Sequence, residues 1–136
     1  MNFGLTLKIC DFGTVRDKNQ SMTLEVGSPC WMAPEILNGK YDEKCDIYSY
    51  TIIMWEVLAR LLPYFHLQDL STHKLLLGVA TNSMRPKMFA NCPKIIKLLL
   101  IRGLDGDKNK RPPISFILKI MQNLNLIINK NQESLK

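Results

Sequence analysis

Gly27-Ser28-Pro29-Cys30-Trp31-Met32-Ala33-Pro34-Glu35 decides how this chain is read, and the other elements are placed by their distance from it. Upstream, Thr14 to Gly27 is polar and carries no hydrophobic period, so it is a loop. At the far end, Pro34-Glu35-Ile36-Leu37 opens a short helix, because proline suits a first helical turn, and Asn38-Gly39 stops it. From Asp42 to Leu62 runs the strongest helix signal. Asp42 is the expected N-cap, Glu43 and Asp46 lie in or near the first turns, and Pro63 closes the far end. Its second half, Ile52-Ile53-Met54-Trp55-Glu56-Val57-Leu58, is apolar on nearly every side, as in a helix surrounded by other elements.

Leu5-Thr6-Leu7-Lys8-Ile9 alternates apolar and polar, which predicts a short half-buried strand, ended by Asp11-Phe12-Gly13. Three further helices are expected downstream. One spans Ser71 to Ala80 with Leu75, Leu76 and Val79 inward. The next begins at Pro93 and carries Ile95, Ile96, Leu98, Leu99, Leu100 and Ile101 up to Gly103. The last is opened by Pro112-Pro113, with Ile114, Ile117, Leu118, Met121, Leu124 and Ile128 at helical spacing. The expected fold is mainly α: about five helices and a short strand over residues 1–128, then a polar, frayed tail over 129–136.

Composition narrows the function classes. The 136 residues fit one domain, and 46% hydrophobic with 22% charged residues excludes a disordered tail, a collagen-like repeat or a low-complexity linker. Cys10, Cys30, Cys45 and Cys92 form no C-x-x-C pair, and His66 and His73 lie at no zinc-finger spacing from them. The net charge of +6 comes from scattered basic residues without interleaved aromatics, so nucleic acid is not an expected partner. Glu56, Arg60 and Pro63 interrupt the most apolar stretch, so no membrane span is expected, and the start has no signal-peptide pattern. A soluble protein with reduced thiols, cytoplasmic or nuclear, is the plain expectation.

Asp-Phe-Gly alone is weak evidence, arising by chance in roughly two per cent of chains this long at average residue usage. The nine-residue block is far more specific, and Asp46-Ile47-Tyr48-Ser49 and Arg111-Pro112 follow it. Together these motifs resemble the C-terminal lobe of a eukaryotic serine/threonine protein kinase domain, from the metal-binding motif to the last helix. Leu7-Lys8-Ile9-Cys10-Asp11-Phe12-Gly13-Thr14 and Trp31-Met32-Ala33-Pro34-Glu35 are most similar to the MAP kinase kinase kinase branch, near the TGF-beta-activated kinases.

The resemblance implies ATP and Mg²⁺ as cofactors and protein substrates or kinase regulators as partners. Asp11 would supply a carboxylate to Mg²⁺ bridging the nucleotide phosphates. Phe12 would pack under the other lobe, and Gly13 would allow backbone angles closed to other residues. An aspartate after a strand is also an ordinary turn former. Residues between the two motif blocks would form the activation segment, with Thr23 at a common phosphorylation position and Arg16 nearby. Gly27, Ser28 and Trp31 would belong to the loop that receives substrate. A solvated polar loop explains Thr14, Ser21 and Thr23 equally well. Glu35 and Arg111 match a buried structural ion pair, and Asp46 would brace the catalytic loop.

The departures from the pattern are as informative. The 136 residues contain no Gly-x-Gly-x-x-Gly, no strand lysine with its helix glutamate, and no His-Arg-Asp, so the N-lobe and catalytic loop are absent from them. In the family these motifs precede Asp-Phe-Gly, so the resemblance implies that the catalytic aspartate would lie upstream of Met1, and none is assigned within the chain. ATP binding by the chain alone is therefore doubtful, and a truncated kinase or pseudokinase is the expectation. The alternatives are a non-catalytic binding or regulatory module and a remnant without function. Thr51 stands where the family has glycine, Gly103-Leu104 where it has Cys-Trp, and Lys108 in place of a common proline. Each is expected to weaken packing. Without its upstream cover, one face of the helix 42–62 would lie exposed. About 400 Å² of apolar surface there is worth on the order of 10 kcal/mol, so a covering partner, a longer chain or marginal folding is expected.

Overall fold

The computed structural model describes residues 8–10, 28–39, 42–67 and 69–133. Four α-helices are present among them: α1 (Lys44–Ala59), α2 (Thr72–Ala80), α3 (Lys94–Gly103) and α4 (Ile114–Glu133). Short 3-10 turns fill the connections at Pro29–Trp31, Pro34–Asn38, Phe65–Leu67 and Lys108–Lys110. The architecture is the expected kinase C-lobe type.

α1 is the axle. One side carries Tyr48 and Ile52 into a cluster with Ala33, Tyr64, Leu75, Val79 and Leu104. The other carries Ile47, Met54 and Trp55 into a cluster with Ile96, Leu99, Leu100 and Ile117. Burying two faces explains why the helix is apolar nearly all round. A third face stays open: Asp46, Tyr50, Ile53 and Val57, spaced four, three and four residues apart, are all exposed. That spacing forms one continuous stripe along a helix.

Glu43, not the expected Asp42, stands at the N-cap of α1; Asp42, one position earlier, accepts from the Lys44 N–H at 2.9 Å. The helix ends at Ala59, earlier than the expected Leu62. Arg60 is left-handed (φ 54°) and donates its N–H to the Glu56 carbonyl at 2.8 Å. The residue before a proline resists the α conformation, so the chain leaves the helix before Pro63.

α2 starts at Ser71, whose hydroxyl accepts from the Lys74 N–H. Leu75 and Val79 are buried and Leu76 half-buried, as the pattern requires. In α3, Ile96, Leu99 and Leu100 point inward while Ile95, Leu98 and Ile101 are exposed. α4 departs from expectation in two ways. Of its apolar series only Ile117 is buried, with Met121 and Leu124 half-buried, while Ile114, Leu118 and Ile128 face outward. It also continues through the predicted tail to Glu133, since Asn, Lys and Gln do not break a helix already under way.

The expected strand is not formed where it can be judged. Leu5, Thr6 and Leu7 lie outside the described residues, and Lys8 to Cys10 carry no ladder, with Ile9 86% exposed. A strand needs a partner's backbone, and among the described residues no strand offers one.

Thr51 and Gly103, each expected to loosen the packing, instead fit one another. A Cβ placed on Gly103 would land on Thr51 Oγ1 and stand 2.8 Å from its Cγ2. Thr51 is 1% exposed and its hydroxyl donates to the Ile47 carbonyl at 2.6 Å. The extra volume on α1 is taken up by the side chain that α3 lacks. Lys108, the third departure, forms an ion pair with Asp42 at 2.7 Å. That contact ties the last 3-10 turn to the start of α1.

Candidate functional site

Within the block, two 3-10 turns form, the first packed against α1 and α2 and the second against α2, and three anchors hold Trp31 to Glu35. Each turn begins on a proline, which fixes φ where the turn starts. Met32, Ala33 and Pro34 between and within them are buried. The segment is therefore seated on the core with its flanks outward: Ser28 is exposed, in extended backbone just ahead of the first turn.

The first anchor is Ser49, whose hydroxyl donates to the Trp31 carbonyl at 2.8 Å. The second is the Trp31 indole N–H, which donates to Glu56 Oε2 at 3.0 Å. Both partners sit on α1, so the tryptophan is fixed at its backbone and at its ring. The third is the ion pair of Glu35 with Arg111. Arg111 Nη1 reaches Glu35 Oε1 at 2.6 Å and Nη2 reaches Oε2 at 2.7 Å, across 76 positions of sequence. This is the bidentate fork that only arginine supplies.

Arg111 does more than pair. Its Nε donates to the Asp105 carbonyl at 2.9 Å and its Nη1 to the Lys44 carbonyl at 2.9 Å. Its guanidinium also stands 5.0 Å from the centroid of the Tyr48 ring. Lys44 returns the contact by donating Nζ to the Arg111 carbonyl at 2.8 Å. The side chain is fully buried, so the charge is held by a carboxylate, two carbonyls and an aromatic face in place of water.

Arg85 also stands over the Tyr48 ring, its guanidinium 5.6 Å from the centroid. Its Nε donates to the Leu104 carbonyl at 2.8 Å, and its Nη1 donates to the carbonyls of Val79 and Met84 at 2.9 and 2.6 Å. Burial pushes the Tyr48 phenol above its ordinary range and Tyr64 further still, and the two hydroxyls meet at 3.4 Å. Burial and neighbouring carboxylates, first Asp46, raise the Cys45 thiol to about 12, so it is no nucleophile at neutral pH.

The expected site residues divide cleanly. Trp31, Glu35 and Arg111 meet in one anchored assembly, and Ser28 stands exposed at its edge. Asp46 does not join them: it lies on the open face of α1, receiving a weak 3.8 Å contact from the Cys45 thiol. Asp11, Phe12, Gly13, Thr23 and Gly27 lie outside the described residues. Met1 lies outside them too, so the expectation of a catalytic aspartate upstream of Met1 meets no structural test. Glu56, Ser49, Lys44 and Arg85 were not singled out from sequence. Only Glu56 left a signal, as an acid inside an apolar helix that must find a donor.

A family model described as protein kinase domain matches residues 2–122. The chain belongs to the protein kinase family. It is 41% identical over 122 residues to mitogen-activated protein kinase kinase kinase 7 of Homo sapiens, covering 89% of this chain and 20% of that protein. The Drosophila melanogaster protein of the same name is 41% identical over 126 residues, covering 90% and 18%. Serine/threonine-protein kinase STY46 of Arabidopsis thaliana is 37% identical over 121 residues, covering 87% and 20%. The chain thus spans about a fifth of the length of these relatives. Within the protein kinases its similarity lies with serine/threonine enzymes of the MAP kinase kinase kinase type.

Kinases of this family use ATP and Mg²⁺. Among the described residues no group of three His, Cys, Asp or Glu is placed to hold a metal ion, and Asp11 lies outside them. What the described residues hold in place is the loop Ser28–Glu35. No helix among them is long and apolar enough to cross a membrane.

Proposed function

We propose that this region is the substrate-engaging part of a serine/threonine protein kinase of the MAP kinase kinase kinase type. By itself it docks protein substrates or kinase regulators without transferring phosphate. The observation that carries this reading is the three-way anchoring of Trp31 to Glu35 on α1 and on the segment before α4. A loop fixed at a ring, a carbonyl and a carboxylate presents one surface to a partner, which lowers the ordering cost of binding.

In this reading Gly27, Ser28 and Trp31 line the receiving surface and Thr23 is the regulatory phosphoacceptor. Asp11 contributes a carboxylate to Mg²⁺ when the rest of a nucleotide site is supplied. Phosphoryl transfer is almost entirely positioning and electrostatics. The 136 residues hold neither a Gly-x-Gly-x-x-Gly loop nor a His-Arg-Asp. A cytoplasmic setting is part of the proposal, supported by four free thiols at Cys10, Cys30, Cys45 and Cys92.

A second reading, an active kinase of which these residues are one part, is favoured by the open stripe on α1. Tyr50, Ile53 and Val57 lie beside Asp46, the residue expected to brace a catalytic loop. Thermal shift with Mg²⁺-ATP and radiolabel transfer to a generic protein substrate test the non-catalytic reading of the chain by itself. No shift and no transfer at millimolar nucleotide are expected of this chain. Saturable stabilisation or incorporation would overturn the non-catalytic reading.

A further inference from the structure

α4 outlasts the core that supports it. Ile117, Met121 and Leu124 pack inward, but beyond them Leu126, Ile127 and Ile128 are exposed. Beside the packed residues runs a second stripe: Phe116, Ile120, Asn123 and Ile127, four, three and four positions apart. That alternation is the heptad seam of a helix that meets another helix. Phe116 is 53% exposed and Ile127 56%, and neither belongs to a core cluster. The start of the stripe borders a groove of about 290 Å³, lined by Ile95 and Leu98 of α3 and by Phe116 and Ile120 of α4. Arg102, in the last turn of α3, and Lys110, in the 3-10 turn before α4, line it as well. Neither cation has an ion-pair partner among the described residues.

We propose that this flank of α4 is a two-fold dimer seam, and that the groove receives the distal half of α4 from a second copy of this chain, running antiparallel. Three features select a second copy. The seam is self-complementary. In an antiparallel pair each a position faces a d position, so Phe116 meets Ile127 of the second copy and Ile120 meets its Asn123. Two-fold symmetry then repeats both contacts. The same register brings position 133 of one copy opposite position 110 of the other, a glutamate against a lysine, on the side where Arg102 stands. Finally, no charged residue occurs from Ile120 to Asn129, so two seams meet without like-charge repulsion. Asn123 falls beside the two-fold axis, a polar seam position of the kind that fixes register. With four seam positions per copy the interface is small, so the dimer is weak and reversible, in the micromolar range.

Sedimentation equilibrium of the full chain, from about 1 to about 300 μM at low ionic strength, tests the seam. The background is Ile53→Gln/Val57→Gln, so that the open stripe of α1 takes no part. A monomer–dimer equilibrium is expected. Ile127→Glu should weaken it by about tenfold or more, with helix content unchanged by circular dichroism. Lys110→Glu and Glu133→Lys should each weaken it about fivefold, and the double variant should return to within about twofold of the parent. That return separates the antiparallel register from loose apolar association, which a charge swap would not rescue. A chain monomeric throughout would overturn the proposal and leave the groove to a different partner. An Ile127→Glu variant that dimerises as before would overturn it too, as would a double variant no tighter than either single one. If Ile127→Glu does not fold, the charge swap alone decides.

Discussion

Thr51 on α1 fills the space that any side chain at position 103 of α3 would need: a Cβ on Gly103 falls onto its hydroxyl. The two helices cross at this point, and α1 and α3 are in direct contact. Both residues depart from the kinase pattern, one by gaining bulk and the other by losing it. Taken singly each is a defect, but taken together they conserve the volume of the crossing. A chain drifting without constraint has no reason to match one change with the other, and this weighs against the remnant reading.

The pair makes a quantitative prediction. Gly103→Ala should destabilise by about 1–3 kcal/mol, the usual penalty of overpacking a closed core. Thr51→Gly alone should also destabilise, by opening a cavity and by the greater chain entropy of glycine in a helix. Combined, they should cost less than the sum of the two. Urea denaturation of the four proteins closes the cycle, and strict additivity would show that the contact is not energetically coupled.

Arg111 governs a second prediction. Arg111→Ala should destabilise by about 3–5 kcal/mol, because it leaves the Glu35 carboxylate unpaired under the loop. Arg111→Lys should recover little, since an ammonium cannot span both oxygens of Glu35 while also reaching the carbonyls of Lys44 and Asp105. Trp31 fluorescence should shift in both variants as the loop loosens. A lysine variant as stable as the parent would remove the bidentate geometry from the explanation.

How much of this was legible in the sequence depends on the range of the interaction. α1 was visible as an unbroken apolar helix with Asp42 ahead of it, because caps and periodicity are local. Its early end at Ala59 was not, because the left-handed Arg60 is set by how the chain turns into the buried Pro63. The Glu35–Arg111 pair was legible only through the motifs around each residue. The Trp31–Glu56 bond and the grip of Arg85 on three carbonyls were not legible, since they depend on how α1 rotates against its neighbours. Thr51 and Gly103 were misread for the same reason: compensation between two helices is visible only when both are in place.

The open stripe of α1 leads to a third prediction. Val57 is 67% exposed and Ile53 49%, with neither in a core cluster. Replacing both with Gln should leave stability within about 0.5 kcal/mol, as at other surface positions. It should also reduce concentration-dependent association, since contiguous exposed apolar residues promote it. Light scattering across a dilution series measures the second effect and urea denaturation the first. A large loss of stability would mean that the stripe is packed, and the case for a covering partner would fall with it.

The last prediction concerns alkaline pH. Burial, with the nearby carboxylates of Asp46, Glu35 and Asp42, raises the Cys45 thiol from 9.0 to about 12, and burial raises the phenols of Tyr48 and Tyr64 from 10.0. In each case the folded state holds its proton more tightly than the unfolded chain. Below pH 9 both states are protonated and the stability is fully present. Between pH 9 and about 12 the unfolded chain releases the Cys45 proton while the folded one keeps it, so stability falls as pH rises. One withheld proton gives a slope of at most about 1.4 kcal/mol per pH unit, and less here because Cys45 is only partly buried. The tyrosines steepen the decline above pH 10. Urea denaturation under reducing conditions, stepped from pH 8 upward, should show a decline that begins near pH 9 and becomes shallower in Cys45→Ala. An identical slope in that variant would assign the alkaline loss to the tyrosines alone.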